Sequence, residues 1–214
     1  MIVNNSKSAI LLIEFQNQWT KKGFYNWLIK KQLNTRNVLE NTNSLINNAR
    51  NHGIKIIHAP LIIDPKNKKG WLAFLTFGRV FTKGTWKSEI SDDLFRKGDI
   101  IVKGRYAFDA FIGSNLYSIL NDNGIENVFI CGFTTDQCVA KTMRTMIKKK
   151  FNVFMVSDCT ATLNSFLQEK TEMEFGEKVI DSNSLLKLFA SSASFIFPKI
   201  KDKSIINEER LSRE

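Results

Sequence analysis

The sequence is poor in the residues that metal and disulfide scaffolds need. It holds three cysteines, Cys131, Cys138 and Cys159, and two histidines, His52 and His58. An odd, low cysteine count with no CxxC pair argues for free thiols rather than a disulfide frame. No local spacing assembles a His/Cys zinc site. No stretch of 18 or more uninterrupted apolar residues occurs, so no transmembrane helix is expected. The segment Met1 to Asn5 does not read as a signal peptide: the apolar run Ala9 to Ile13 stops at Glu14, and no basic lead or small-residue cleavage site accompanies it. A cytoplasmic location is the resulting expectation. Internal repeats and low-complexity segments are also missing.

The 214 residues suit one ordinary domain, and 43% hydrophobic content is enough for a sizeable core. The expected domain is 1–198, followed by a charged tail, 199–214. Net charge is +10, which raises a nucleic-acid or anionic-surface partner. The basic residues are scattered, however, and the run Lys148 to Lys150 reads as a helix C-terminus meeting its dipole. The expectation is therefore no nucleic acid and no membrane. Salt-dependent retention on DNA or RNA would mark the other reading.

Short apolar runs alternate with helical patterns. Ser8 to Glu14, Ile54 to Ile63, Asp99 to Lys103, Asn127 to Cys131 and Asn152 to Ser157 read as buried strands, with Lys178 to Asp181 a short sixth. Thr35 to His52, Asn115 to Asn123, Asp136 to Lys149, Ser165 to Phe175 and Ser184 to Phe189 read as helices. Gly53 and Gly124 supply stops. This alternation means an open parallel sheet covered on both faces, with right-handed crossovers. In such sheets ligands bind beyond the carboxyl ends of the strands. Attention falls on Glu14, on Lys103 and on the residues after Cys131. An insertion at 61–98 is rich in aromatics (Trp71, Phe74, Phe77, Phe81, Trp86). It reads either as a lid or interface, or as a helical hairpin with its own small core.

In GFTTDQCVAKT, Gly132 to Thr142, a strand ends, a short turn follows and a helix starts near Asp136. Cys138 then lies in the first helical turn, where unpaired N–H groups and the positive dipole end favour a thiolate. The same N–H groups can receive an oxyanion. From position alone a buried structural cysteine is an equal reading. Glu14 ends an apolar strand, where a carboxylate is costly unless paired or used. Lys103 ends another, before Gly104. A carboxylate, an amine and a thiol thus emerge from one rim of the expected sheet. The amine can stabilise the thiolate, and the carboxylate can take its proton.

With these residues in hand, the chain resembles isochorismatase-like cysteine hydrolases from about Ser8 to Phe189. The matching pieces are LLIEFQNQW (Leu11 to Trp19), KGTWKSEI (Lys83 to Ile90), VKGRYAFDAF (Val102 to Phe111), CGFTTDQCVAKTMRT (Cys131 to Thr145) and DCTAT (Asp158 to Thr162). The resemblance implies a three-layer α/β/α sandwich around a six-stranded parallel sheet of order 3-2-1-4-5-6. It implies hydrolysis of a small amide, urea or related C–N bond through a thioester-type intermediate. Carried over by motif, the triad is Cys138 as nucleophile, Lys103 beside it and Glu14 as base. A non-proline cis peptide at Phe133–Thr134 would aim the N–H groups of Thr134 and Cys138 at the substrate oxygen. The resemblance also implies a homo-oligomer, dimer or tetramer. Trp86 and Phe133 are the candidate pocket residues.

The chain departs from this pattern in two ways. The family's acid is usually aspartate in a DxQND-like motif, whereas here it is Glu14 in EFQNQ. The metal-dependent nicotinamidases of the superfamily carry an Asp-x-His…His site after the second strand. IIHAPLIIDPK places His58 too early and offers no second histidine, so no metal and no cofactor are expected. The glutamate motivates a second reading, a catalytically weak small-molecule-binding or scaffold member of the same fold.

Overall fold

The computed structural model describes residues 4–64 and 81–191. Trp71, Phe74 and Phe77 of the insertion, and the tail 199–214, lie outside the described residues.

Six strands form one parallel sheet: β1 (Ser8–Ile13), β2 (Lys55–Ala59), β3 (Ile100–Ile101), β4 (Asn127–Phe133), β5 (Asn152–Ala161) and β6 (Val179–Ile180). Their order is β3-β2-β1-β4-β5-β6, as the resemblance implies. Every residue of β1 and β4 is buried, which explains their uninterrupted apolar run: both faces of a central parallel strand are covered. The two-residue side-chain period divides β1 between two cores. Ile10 and Leu12 face α2 (Phe24–Thr35), α3 (Val38–Asn51) and α7 (Ser182–Ala190). Ala9, Leu11 and Ile13 face α4 (Leu116–Asp122), α5 (Ala140–Lys148) and α6 (Ser165–Phe175). A short α1 (Asn17–Thr20) follows β1 directly.

Several elements differ from the sequence reading: α1 is additional and β5 runs on to Ala161. Helix α2 was not expected. Its pattern is blurred because Phe24 and Trp27 lie on the solvent side, 66% and 69% exposed, while Gln32 is buried with Ile29 and Leu33. The helix expected from Asp136 opens instead with a π-wound turn, Thr135–Val139, before α5 begins at Ala140. In that turn the N–H of Val139 donates to Thr134 O at 3.2 Å. Such wide turns recur where a helix must present side chains to a site.

Gly132, at φ 135°, sets how closely β4 approaches β1. A Cβ built there would lie 2.1 Å from Ile13 O. Only glycine fits this spacing, which brings the end of β1 against the turn after β4.

At the outer edge of the sheet, His58 Nε2 meets Asp99 Oδ2 at 3.0 Å, and Arg50 Nη2 meets the same oxygen at 2.7 Å. Burial alone would raise the Asp99 pKa. Hydrogen bonds from His58, Arg50 and the Arg96 N–H, together with the Arg50 charge, outweigh it and bring the group to about 2. A folded-state pKa below the unfolded one stabilises the fold at higher pH and ceases to do so as pH falls. The stability advantage of wild type over Asp99→Asn, ~1–2 kcal/mol, is therefore expected to vanish between about pH 4 and pH 2 in urea titrations. A constant difference across that range would remove the assignment.

Candidate active site

Glu14 is the first residue after β1, and its backbone is left-handed at φ 59°. Side chains other than glycine seldom adopt that region, and its occupation often marks a functional position. The turn is held by Glu14 N–H to Ala59 O at 3.3 Å and Gln16 N–H to Glu14 O at 2.6 Å. Gln16 clamps the neighbouring loops. Its Nε2 donates to Leu61 O at 3.0 Å and Ser88 O at 2.7 Å, and its Oε1 accepts from Leu61 N–H at 3.0 Å.

The Glu14 carboxylate is 1% exposed and fully partnered. Oε1 accepts from Arg105 Nη2 at 2.6 Å, and Oε2 accepts from Trp19 Nε1 at 3.1 Å. Arg105 is equally buried. Besides Glu14 it donates to Ala59 O (2.6 Å), Ala107 O (3.0 Å) and Phe108 O (2.9 Å). A buried ion pair is tolerable only when its remaining donors are satisfied in this way.

Cys138, 4% exposed in the π-wound turn, joins this pair. Burial pushes its thiol well above the usual range. The Glu14 charge and the hydrogen bond to Glu14 push the same way, while the Arg105 charge and the Thr134 N–H pull it down. The depressed thiol expected from a helix start is thus corrected. The dipole argument omitted the cost of burying a sulfur anion beside a carboxylate. The raised value keeps the group a neutral thiol facing the Glu14 carboxylate. The Phe133–Thr134 peptide bond in the preceding turn is cis.

The structure brings Glu14 and Cys138 together but does not bring Lys103 to them. Lys103 is exposed and is not among the groups that act on Cys138. The cation at the site is Arg105, two residues further on. The reason is local: β3 pairs over two residues only, and Gly104, at φ 85°, then turns the chain sharply. A Cβ at Gly104 would sit 2.5 Å from Gly113 O. Lys103 is left outside the turn while Arg105 points in. Strand parity could not find this, but the need of a buried Glu14 for a cation could have, since VKGRY offers two.

The two pocket candidates lie apart. Phe133 is fully buried, its ring 4.7 Å from Phe15 and 5.9 Å from Trp19, so its side chain is core. Trp86 is at the surface, 44% exposed, with the Lys22 ammonium 5.6 Å from its ring centre. A cavity of about 640 Å³ opens beside Arg105, between the exits of β2 and β3. Ile62, Ile63, Lys83, Lys103 and Tyr106 line it, and Glu14 and Cys138 do not. Among the described residues no group of three or more His, Cys, Asp or Glu side chains could hold a metal ion, and no helix is long and apolar enough to cross a membrane.

A thiol, a carboxylate and a fixed guanidinium meet at the carboxyl rim of a parallel sheet in a three-layer α/β/α fold. The chain belongs to the isochorismatase family: the family model Isochorismatase domain matches residues 8–183. The ureidoacrylate amidohydrolase RutB of Agrobacterium fabrum is 26% identical over 191 residues, spanning 78% of this chain and 81% of its own length. Nicotinamidase 3 of Arabidopsis thaliana is 26% identical over 174 residues, spanning 79% and 81%. The structure of a cysteine hydrolase from Pseudomonas syringae pv. phaseolicola shares the fold, with a TM-score of 0.78 at 15% identity over 90% of this chain and 97% of that one. An N-carbamoylsarcosine amidase from Thermoplasma acidophilum does so with a TM-score of 0.69 at 21% identity, over 83% and 97%.

Proposed function

We propose that the protein hydrolyses a small amide or ureido C–N bond, without a metal, through Cys138 as nucleophile, Glu14 as base and Arg105 as fixed cation. The observation that carries this reading is a single buried carboxylate shared between a guanidinium and a thiol. The relatives named for ureidoacrylate and N-carbamoylsarcosine amide chemistry support the bond class.

Glu14 takes the Cys138 proton as the sulfur attacks the carbonyl carbon. The Thr134 N–H, which already faces the sulfur, and the Cys138 N–H receive the negative oxygen. The C–N bond breaks as Glu14 returns the proton to the leaving nitrogen. Water then gives a proton to Glu14 and attacks the thioester carbon. The C–S bond breaks, and the sulfur regains its proton. Arg105 does not exchange protons, because a guanidinium stays charged at any working pH. Its part is to hold the carboxylate in place.

A second reading, a binding member of the fold without turnover, draws support from the raised thiol. Incubation with small amides, ureas and carbamoyl compounds separates the two. The expected result is an acyl adduct on Cys138, seen by mass spectrometry, with turnover absent in Cys138→Ala. Full activity in Cys138→Ala would overturn the mechanism, and binding without adduct or turnover would favour the second reading.

A further inference from the structure

We infer that Trp19 is a positioning residue for the base, and that its indole N–H fixes the orientation of the Glu14 carboxylate against the thiol. This inference rests on the triad reading above. A glutamate carries three rotatable side-chain bonds, and a base that can swing loses the alignment on which proton transfer depends. Arg105 holds only Oε1. Rotation about that contact stays open until the second oxygen is tied, and Trp19 Nε1 ties it at 3.1 Å. The indole is itself immobile. It is 6% exposed and wedged against Tyr25 at 4.8 Å, Phe133 at 5.9 Å and Phe81 at 6.4 Å. It stands on α1, which starts three residues after Glu14, so donor and acceptor belong to one short, doubly anchored turn.

The competing view is that Trp19 is a core aromatic whose buried N–H needs any acceptor. The two views differ in what Trp19→Phe should do. That change keeps a ring against Tyr25, Phe81 and Phe133 and deletes the donor, together with part of the indole's buried volume. A positioning role predicts that kcat falls about 10–100-fold with KM within about threefold. It also predicts that the low-pH limb of the rate profile moves, because the base loses a donor that fixes it. The titratable or charged groups facing the carboxylate are Arg105 after β3, Cys138 in the π-wound turn and Tyr25 on α2. Burial, and then the Glu14 charge, raise the Tyr25 pKa, so Tyr25 does not titrate on that limb.

Kinetics of wild type and Trp19→Phe, with the full rate–pH profile, form the test. Wild-type kcat and an unmoved limb in the variant would overturn the inference while leaving the triad intact. Failure of the triad reading shows separately, as Cys138-independent turnover in an otherwise wild-type chain. An activity-free measurement covers a variant that fails to fold. The sequence has four tryptophans, and the indole N–H resonance of Trp19 is expected to move in Glu14→Gln. A Trp19 signal unchanged in Glu14→Gln would also overturn the inference.

Discussion

Glu14→Gln is expected to move turnover and thiol reactivity in opposite directions. Turnover should fall by about 10²–10⁴-fold, the usual cost of deleting a general base. Alkylation of Cys138 near neutral pH should instead become roughly 3–10-fold faster. The sign follows from the site. Glu14 raises the thiol pKa twice, by its charge and by its hydrogen bond, while Arg105 and the Thr134 N–H lower it. Glutamine keeps an oxygen for Arg105 and removes the negative charge, so the lowering influences act unopposed except by burial. Timed iodoacetamide labelling followed by peptide mass spectrometry reads one quantity, and steady-state kinetics the other. A variant that is both inactive and slower to alkylate would contradict this arrangement of charges.

The second large effect distinguishes the two cations that follow β3. Arg105→Ala leaves a buried carboxylate without its ion pair, and should cost about 3–5 kcal/mol of stability together with activity. Because that variant risks unfolding, Arg105→Lys is the more informative change. It keeps the charge but has no planar fork to reach Ala59 O, Ala107 O and Phe108 O at once. Turnover is expected to drop roughly 10–100-fold with a folded protein. Lys103→Ala is expected to keep kcat within about threefold, because that side chain is solvated. Since Lys103 borders the cavity, any change belongs in KM. Loss of turnover in Lys103→Ala, with Arg105→Lys unaffected, would reverse the assignment.

The parallel sheet was legible in the sequence because its signals are local. Short apolar runs, most of them followed by a turn and a helical period, need no tertiary partner to be recognised. Ser8–Ile13 and Ser165–Phe175 appear where the pattern puts them. Helix α2 was hidden because its large aromatics face outward and a glutamine faces in. Glu14 was legible as a carboxylate where polarity is costly, at a strand exit, and Cys138 only as a thiol at an expected helix start.

The sequence alone determined the open parallel sheet, from its period and composition, and marked the carboxylate by the desolvation cost of a charge and the thiol by its place at a helix start. Only the tertiary structure decided which cation meets Glu14, which donor holds its second oxygen, and in which direction the thiol pKa moves. Those three outcomes depend on the positive-φ turn at Gly104, on the close β1–β4 approach at Gly132, and on how deeply the sulfur is buried. The first and third arise from contacts between segments distant in the chain, which no local pattern encodes.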